Sequence, residues 1–588
     1  MTPSVVTTGS ARLATHLDAA IIAALRDPAC YPHPVARIEV LETHISWVIL
    51  TGRYAYKLKK PVNLGFLDFS TLEARRHYCE EELRLNRRSA PSLYETVVKI
   101  TGSANNPRIG GDGAAIEYAV KMREFPQSAL ASRLLEAGAL TAAHIDALAT
   151  RIAAFHAQTG VAACGCPDGS PEAVIAPAHD NFTALATLLP DAADQARICA
   201  LRIWTDQEFH ARWTRFGARQ TAGHVRECHG DLHLGNIVML DGELTPFDCI
   251  EFNPALRWID VMSEVAFLVM DLIDCGRTDF ANRFLNAYLE AGGGYEELDL
   301  LHFYWVYRAP VRAKVHALRA AQDGIAAAER ARLLGASRDY LELAQDCTGG
   351  GGSTTSNTSK SYVAPPPIIL MHGVSGSGKS VIAQALAEYT GAIRLRSDVE
   401  RKRLCGLAAH ARSCIVTSAR SCIVTSARSG IVTSARSSIV TPTLSSFAPP
   451  APDAGIYAAE LTLATYQRLL DLARGVINAG YAAVVDATFL KGWQRELFRR
   501  YANAKGIPFV IIDVTAPEAV LRARIAARLA AGNDASEADQ AVLTQQLAHN
   551  DALTAEESSA VLRFDTARTD AEATLMATCA ALRARLAA

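Results

Sequence analysis

The first stretch that could do chemistry is a polar loop in the N-terminal half of the chain, His229–Asn236, which reads HGDLHLGN. Phosphoryl transfer needs a carboxylate that orients and deprotonates an acceptor hydroxyl, together with oxygen ligands that hold Mg²⁺ against the phosphates. Asp231 and Asn236 in this loop, followed by Asp248, offer such groups. The pattern therefore favours phosphoryl transfer. The other interpretation is a surface turn rich in histidine, aspartate and glycine.

The second stretch lies in the C-terminal half, where GVSGSGKS fits the pattern G-x-x-x-x-G-K-[ST] completely. It follows the short apolar run Ile368–Met371 and precedes a predicted helix, Ser380–Tyr389, which is the context that the pattern requires. Backbone N–H groups of such a loop cradle phosphate oxygens, the lysine reaches the β and γ phosphates, and the serine hydroxyl binds Mg²⁺. The predicted nucleotide-binding residues are Gly373, Val374, Ser375, Gly376, Ser377, Gly378, Lys379 and Ser380.

A second polar segment of this half, Ser397–Arg401, follows the predicted strand Ala392–Leu395. This part resembles small P-loop kinases, including gluconate-kinase-like, zeta-toxin-like and polynucleotide-kinase-like proteins. The resemblance implies that Asp398 activates the acceptor hydroxyl and that Arg401, on the same helical face, anchors the substrate or a phosphate. An ordinary helix-capping aspartate beside a solvated arginine is the alternative.

Three further charged residues belong to this predicted site. Asp486 ends the predicted buried strand Ala483–Val485 and would act on Mg²⁺ through water or contact the substrate. Arg524 and Arg528 share one face of a predicted helix. The resemblance implies that this helix closes over ATP and that its arginines offset charge on the transferring phosphoryl group. A solvated basic face is the competing interpretation.

The N-terminal loop is similar to the catalytic loop of aminoglycoside phosphotransferases and related small-molecule kinases, H-x-D-x-x-x-x-N. The resemblance implies that Asp231 is the catalytic base, that Asn236 and Asp248 hold Mg²⁺, and that His229 braces the loop. The D-F-G triplet of protein kinases is not matched, since Cys249 and Ile250 follow the aspartate. Aminoglycoside kinases also lack its Phe-Gly.

A lysine and an acid upstream extend the resemblance. Lys57 stands on a predicted strand as the lysine of V-A-I-K does in kinases, so it would hold the α and β phosphates. The paired acid is expected in Glu80–Glu82, and Glu82 is favoured because similar chains keep an acid shortly before L-N-R. The alternative is a solvated lysine face shared with Lys59.

Two other features of the N-terminal half bear on its site. The N-terminal half has no G-x-G-x-x-G loop to contact the phosphates of ATP, so a hydroxyl from Thr43 or Ser46 would have to make that contact instead. Asp260 and Glu264 lie one helical turn apart and could line a pocket for a cationic substrate, but carboxylates that brace the catalytic loop are the favoured interpretation.

The elements that must position these residues form two groups. A small β-rich lobe followed by a mostly helical region, 141–346, is typical of a protein-kinase-like α+β fold. The C-terminal part alternates strands and helices, which predicts an α/β P-loop fold with a parallel sheet. The predicted strands of the first lobe are Val35–Leu41, Ile45–Leu50, Tyr54–Lys60, Thr96–Thr101 and Ile116–Met122, and the helix between them is Thr71–Arg88.

The predicted domain boundaries follow from composition. Residues 347–367 are rich in Gly, Ser and Pro and cannot bury a core, so they read as a linker between a kinase-like domain, 1–346, and a P-loop domain, 368–588. Residues 411–442 hold four copies of an octapeptide, ARSCIVTS and its variants, which reads as an insertion into the P-loop domain. The whole chain resembles a bacterial family in which an aminoglycoside-phosphotransferase-like domain is fused to an AAA-like predicted kinase.

Composition excludes several classes of protein. The chain has 588 residues, 49% hydrophobic and 20% charged, with a net charge of −2, which argues against a polynucleotide or anionic membrane partner. We find no apolar run long enough for a membrane helix and no secretory signal, and 13 scattered cysteines suit a reducing cytoplasm. Only Cys164 and Cys166 are close, which is a weak zinc pattern.

The sequence therefore predicts a bifunctional kinase that uses ATP and Mg²⁺ and phosphorylates hydroxyl groups of small molecules. One alternative is a single catalytic domain whose neighbour acts as an ATP-binding regulatory module. A weaker one is a nucleotide or polynucleotide end kinase, suggested only by the S-D-x-x-R pattern at Ser397–Arg401. The acceptors and the oligomeric state do not follow from the sequence.

Overall fold

The computed structural model divides into two compact units, one formed by Met1–Tyr288 and Leu300–Ser359, the other by Leu289–Asp299 and Lys360–Ala588. The structure describes residues 20–43, 45–63, 65, 67–163, 165–322, 324–348, 365–408, 459–532, 534–567, 577 and 579–580. The octapeptide region, most of the predicted linker and Cys164 lie outside the described residues. Among the described helices, none is long and apolar enough to cross a membrane.

The first unit opens with a six-stranded antiparallel sheet in the order β1-β2-β3-β6-β4-β5. All the strands predicted for this lobe are present. The first begins later than predicted, at Glu39, because Glu39 pairs with Leu50, the last residue of its partner strand. The strands are β1 (Glu39–Glu42), β2 (Ser46–Leu50), β3 (Tyr54–Lys59), β4 (Tyr94–Ser103), β5 (Asn106–Ile109) and β6 (Ala115–Arg123).

The helical residues 20–24 pack against this sheet, and nine bounded helices follow in the described part of the unit. Thr71 caps the helix Leu72–Asn86 by accepting a hydrogen bond from Ala74 N–H, which fixes where that helix begins. The helices are α1 (Leu72–Asn86), α2 (Ala131–Glu136), α3 (Ala142–Gln158), α4 (Pro171–Leu188), α5 (Ala192–Thr221), α6 (Val261–Asp274), α7 (Thr278–Gly292), α8 (Leu301–Ala320) and α9 (Ala327–Cys347).

Two short antiparallel pairs frame the polar loop of this unit. They are β7 (Val225–Glu227) with β10 (Trp258–Asp260), and β8 (Ile237–Leu240) with β9 (Glu243–Pro246). The loop His229–Asn236 lies between β7 and β8, and Asp248 follows β9. These strands were not predicted, because three- or four-residue strands carry too little alternation to be recognised. With its antiparallel sheet and helical lobe, the unit has the α+β protein-kinase-like fold that the sequence predicted.

The second unit is built on a five-stranded parallel sheet in the order β12-β13-β11-β14-β15. Its central strand, β11, is fully buried and leads into the P-loop. The strands are β11 (Ile368–His372), β12 (Ile393–Arg396), β13 (Ala483–Asp486), β14 (Phe509–Thr515) and β15 (Val561–Asp565). The α/β P-loop fold with a parallel sheet is therefore confirmed, with β15 as a strand that the sequence did not predict.

The helices of the second unit connect these strands. In parallel sheets with such connections, ligands bind beyond the carboxyl ends of the strands. The P-loop, Asp398 and Asp486 all come at those ends. The helices are α10 (Lys379–Thr390), α11 (Ser397–Leu404), α12 (Ala459–Asn478), α13 (Gly492–Lys505), α14 (Glu518–Ala531), α15 (Gln540–Ala548) and α16 (Ala555–Ser558).

Candidate active sites

The carboxylate of Asp231 is held in place by the asparagine of its own loop. The Asn236 side-chain amide donates to Asp231 Oδ2 at 2.9 Å and to the Asp231 carbonyl at 3.0 Å. Burial raises the pKa of Asp231, but His233 and Arg312 outweigh burial and lower it below its usual value. The group is therefore an ionised carboxylate at neutral pH, and its side chain is still 35% exposed and reachable by an acceptor.

Buried carboxylates on α6 fix the backbone of this loop. Glu264 is fully buried and accepts hydrogen bonds from the backbone N–H groups of His229 (2.8 Å) and Gly230 (3.3 Å). Asp271 accepts one from Leu234 N–H at 2.8 Å. Glu264 therefore braces the loop, which is the interpretation favoured from the sequence, and it also lines a cavity together with His229 and Arg151.

The other residues of this loop region are also braced. Asp260 caps α6 through Met262 N–H and forms a buried ion pair with Arg219, so it too is structural. His229 forms a hydrogen bond through Nε2 with the Phe247 carbonyl at 2.8 Å, next to Asp248. The position of His229 agrees with its predicted bracing role.

Lys57 lies at the centre of a buried charge network. Its ammonium pairs with Glu82 Oε1 at 2.9 Å and with Asp248. Burial lowers the pKa of Lys57, but Asp248, Glu82 and Glu251 outweigh burial and raise it well above its usual value. The structure thus brings together the predicted lysine, the favoured acid of α1 and a predicted metal ligand. The solvated lysine face, the alternative for Lys57, is not what the structure has.

A second lysine shares the same glutamate. Lys59 pairs with Glu82 Oε2 at 2.8 Å and with Glu251. The side chains of Lys59, Glu82 and Glu251 are at most 5% exposed. Burial raises the pKa of Glu82, but Lys57 and Lys59 outweigh burial and lower it to about 2. Glu82 is thus an ionised carboxylate held between two cations, and each of its oxygens has one lysine.

The turn expected to substitute for a glycine-rich loop lies between β1 and β2. Thr43 Oγ1 accepts from Ser46 N–H at 2.9 Å, so its hydroxyl is used to close the turn. Ser46 is 1% exposed, and its Oγ has no hydrogen-bond partner among the described residues. Ser46 therefore remains a predicted phosphate contact, whereas Thr43 has a structural partner.

The P-loop of the second unit has a backbone that only glycine allows. Gly373, Gly376 and Gly378 all have positive φ, and a Cβ atom at Gly373 would lie 2.3 Å from the Val514 carbonyl oxygen. Such close approach leaves the cradle open for phosphate oxygens. Ser377 Oγ is buried without a hydrogen-bond partner in the described part of the chain, which fits a site built for an anion.

Lys379 lies inside this cradle, and no carboxylate of the described residues contacts its ammonium. Its ammonium donates to the Val374 carbonyl at 2.8 Å. Burial lowers its pKa to about 8, Asp486 and Asp398 act in the opposite direction, and Arg528 lowers it further. The four predicted residues Lys379, Asp398, Asp486 and Arg528 therefore share one electrostatic environment.

In the second unit, the two residues predicted to serve the acceptor, Asp398 and Arg401, form an ion pair with each other. Arg401 donates to Asp398 Oδ1 at 3.0 Å, and Asp398 is 26% exposed. Asp486 is 5% exposed, and its Oδ2 has no hydrogen-bond partner among the described residues, although Arg396 lies 3.9 Å away. Asp486 therefore has an oxygen free to contact a water on a metal.

The two arginines of α14 have different surroundings. Arg524 donates to the Gly376 and Ser377 carbonyls, both at 3.4 Å, and to Thr566 Oγ1 at 2.7 Å. It thus braces the P-loop, and its part at the transferring phosphoryl group stays a prediction. Arg528 donates to Ala538, and its Nε is buried without a partner in the described residues, so it has a donor to spare.

Sequence reasoning missed three features of these sites. Glu251 pairs with Lys59 across 192 residues of sequence, which no local pattern could reveal. Arg312, on α8, contacts His233 of the polar loop at 3.3 Å. Gln546 on α15 accepts a hydrogen bond from Ser375 N–H at 2.7 Å and thereby occupies a P-loop donor. Of these contacts, only the position of His233, two residues after Asp231, could have suggested from the sequence that a side chain lies near the predicted base.

The residues present fit Mg²⁺ in both units. Asn236 and Asp248 in the first unit, and Ser380 and Asp486 in the second, carry the oxygen ligands that Mg²⁺ prefers. Asp248 is 39% exposed and uses one oxygen for Lys57, which leaves the other for a metal.

Comparisons with known proteins found relatives of similar sequence and solved structures that align with parts of the chain. Curated proteins from Mycobacterium bovis and Mycobacterium tuberculosis, each described as uncharacterized, are 29% identical over 514 residues, which is 87% of this chain and 91% of theirs. A choline/ethanolamine kinase family protein from Mesorhizobium loti is 12% identical with a TM-score of 0.34, covering 57% of this chain and 99% of that one. A gluconokinase from Sinorhizobium meliloti is 18% identical with a TM-score of 0.23, covering 37% and 94%.

A family model covers most of the second unit. Residues 368–553 match the model described as an AAA domain. This range begins at β11 and includes the P-loop, Asp398, Asp486 and both arginines of α14. The match confirms the AAA-like P-loop domain that the sequence predicts at the C-terminus.

Proposed function

We propose that the chain is an ATP- and Mg²⁺-dependent phosphotransferase with two kinase sites, each acting on hydroxyl groups of small molecules. The observation that carries the proposal is the assembly around Lys57. An ionised Asp231 bound to Asn236, and a lysine paired with both Glu82 and Asp248, are the parts that phosphoryl transfer needs, drawn from separate segments.

In the first unit, Lys57 would hold the α and β phosphates, with Glu82 fixing its position. The acceptor oxygen bonds to the γ-phosphorus of ATP, the bond from that phosphorus to the bridging oxygen breaks, and ADP leaves with the electron pair. The acceptor proton goes to a carboxylate oxygen of Asp231. Mg²⁺ held by Asn236 and Asp248 would neutralise phosphate charge.

In the second unit, the P-loop backbone and Lys379 would hold the phosphates. Arg528 has a donor to spare for charge on the phosphoryl group as it moves. Asp398 would accept the acceptor proton after exchanging its contact with Arg401, and Arg401 would then be free to bind the substrate.

One observation favours a second candidate, in which the second unit senses ATP without transferring phosphate. Gln546 fills a donor of the P-loop, and Arg401 occupies the predicted base Asp398. A kinase must break both contacts to turn over, whereas a sensor needs to break only the first.

Paired variants separate the two candidates. We expect Asp231→Ala to abolish phosphorylation of one acceptor and Lys379→Ala to abolish that of another, when Mg-dependent ATP turnover is measured on a panel of sugars, aminoglycosides and nucleosides. The double variant should lose both. If Lys379→Ala changes no transfer while Asp231→Ala removes all of it, the second unit is a sensor and the two-kinase proposal is wrong.

Nucleotide affinity at the P-loop should depend on pH. Because the pKa of Lys379 is about 8 and bound phosphate favours the charged form, ATP binding takes up a proton above that pH. We expect the ATP affinity of the second unit to be flat below pH 8 and to fall about tenfold per pH unit above it. Calorimetry from pH 7 to 10, on a Lys57→Ala background that weakens the other site, measures this fall. Lys379→Arg, which stays charged, should show none. An equal fall in both proteins would refute the assignment to Lys379.

A further inference from the structure

Two arginines of α8 face the catalytic loop of the first unit. Arg308 donates through Nε to Ser263 Oγ at 3.1 Å and through Nη1 to the Gly230 carbonyl at 3.2 Å. Arg312 lies one helical turn later, and its Nη1 contacts His233 Nε2 at 3.3 Å. His233 Nε2 in turn lies 3.5 Å from Asp231 Oδ2. One ring nitrogen, His233 Nε2, therefore lies close to both the cation of Arg312 and the predicted base.

Neither arginine forms an ion pair with a described residue. In the part of the chain that the structure describes, no carboxylate oxygen lies within 4.0 Å of a nitrogen of Arg308 or Arg312. Nη2 of Arg308 and Nε of Arg312 are buried without hydrogen-bond partners among the same residues. Buried donors left unpaired are costly, and arginine is the residue that binds carboxylate and phosphate with two donors at once. Arg308, which is 3% exposed, braces the loop, whereas Arg312 is the more accessible of the two.

The charges around Arg312 are mixed. The pKa of His316, one turn beyond Arg312, is lowered to about 4, first by burial and then by Arg312, Arg332, Arg319 and His233. Burial lowers the pKa of Arg312, but Tyr340, Asp271 and Asp231 outweigh burial and raise it, so its guanidinium remains a cation.

The two carboxylates that raise the pKa of Arg312 already have other tasks. Asp271 accepts a hydrogen bond from Leu234 N–H and holds the loop backbone. Asp231 is predicted to take the acceptor proton. A cationic acceptor would therefore meet the cation of Arg312 close to Asp231.

We propose that the acceptor of the first unit is an anionic hydroxyl compound, whose phosphate or carboxylate group is bound by Arg312 and His233 beside Asp231. This inference rests on the proposed function of the same unit. The anion would accept hydrogen bonds from the guanidinium of Arg312 and from His233, and a hydroxyl on a neighbouring carbon would then lie against the carboxylate of Asp231. Amino sugars and amino alcohols would be poor acceptors.

The test uses the full chain with Lys379→Ala, so that transfer reports the first unit. Matched acceptors are compared by kcat/KM: sugars against their phosphates, sugars against their sugar acids, and amino alcohols against hydroxy acids. We expect an anionic member to exceed its neutral counterpart by roughly 100-fold, since a hydrogen bond to a charged group is worth about that factor. The sugar-phosphate and sugar-acid arms tell which anion is bound. Equal rates within every pair, or transfer only to amino compounds, would overturn the inference.

Variants of Arg312 locate the effect. Arg312→Gln should raise KM for the anionic acceptor by roughly 10²-fold and leave KM for ATP unchanged, while Arg312→Lys should retain part of the affinity. Arg202→Gln, at an exposed arginine of α5, is the matched control and should change neither constant. A loss of kcat alone, with KM for the acceptor unchanged, would give Arg312 a structural role and reject the anion site.

Binding is measured separately by calorimetry with the same compounds and a non-hydrolysable ATP analogue. Anion binding that depends on Arg312, without transfer, would reject the proposed activity and keep the anion site. Absence of binding by every anion would reject the anion site, whatever transfer is seen.

Discussion

Asp231→Asn should lower kcat of the first unit by roughly 10²–10⁴-fold, the range that positioned proton transfer contributes. The substitution keeps the size of the side chain and an oxygen that can still accept from Asn236, so the loop should keep its shape. It removes the charge that receives the acceptor proton. KM for ATP should change little, because Lys57, Glu82 and Asp248 hold the nucleotide side and are untouched.

This measurement is made on a Lys379→Ala background, so that the second unit does not contribute. Asp241→Asn is the matched control, since Asp241 is 67% exposed in the turn between β8 and β9 and pairs only with the half-exposed Arg123 in the described residues. The control should keep the parent kcat. Turnover of the Asp231→Asn protein within about threefold of the parent would remove Asp231 from the role of base, because general-base catalysis is worth at least about 100-fold.

Lys59→Met should destabilise the first unit by about 3–5 kcal/mol, the usual cost of breaking a buried ion pair by removing one partner. The variant leaves Glu251 and one oxygen of Glu82 buried without their cation. The folded-state pKa of Glu251 is already raised by burial, and loss of Lys59 raises it further. When the pKa of a carboxyl group is higher in the folded than in the unfolded protein, the free energy of unfolding falls as pH rises through the folded-state pKa. The loss of unfolding free energy caused by Lys59→Met should therefore be larger at pH 8 than at pH 5.

Urea unfolding followed by tryptophan fluorescence measures this deficit in the full chain. On a Trp493→Phe background, every remaining tryptophan lies in the first unit, so the signal reports that unit. The remaining tryptophans are Trp47, Trp204, Trp213, Trp258 and Trp305.

Two comparisons make the Lys59 result specific. Lys59→Met combined with Glu251→Gln should regain part of the lost stability, because the unpaired charge is gone. Lys60→Met removes the neighbouring lysine, which pairs with the exposed Glu42, and should cost at most about 1 kcal/mol. A Lys59→Met protein as stable as the Lys60→Met protein would show that the buried network contributes little.

Local patterns were enough to identify candidate residues that the structure brings close together in each unit. The glycines and Lys379 are consecutive in sequence, and their backbone requirement is local, so the P-loop could be recognised without any tertiary information. The same holds for Asp231 and Asn236, which sit in one loop and hydrogen-bond each other. Lys57 and Glu82 come from successive elements, and resemblance placed them correctly together.

Residues that act through distant partners could not be predicted in this way. A solvated face shared by Lys57 and Lys59 was the alternative interpretation of the sequence, but the fold places Lys59 against Glu251 with its side chain buried. Arg524 and Arg528 share a helical face, yet one braces the P-loop and the other keeps a free donor, because their surroundings come from different loops.

The sequence by itself determined the two fold classes, the phosphate-binding loop and the candidate bases, because periodicity, glycine spacing and loop motifs act over a few residues. Tertiary structure decided which charges are neutralised, as at Lys59, and which are left with donors to spare, as at Arg312. The physical reason is that electrostatic partnership depends on distance in space and on burial. Both are set only when segments far apart in the chain pack together.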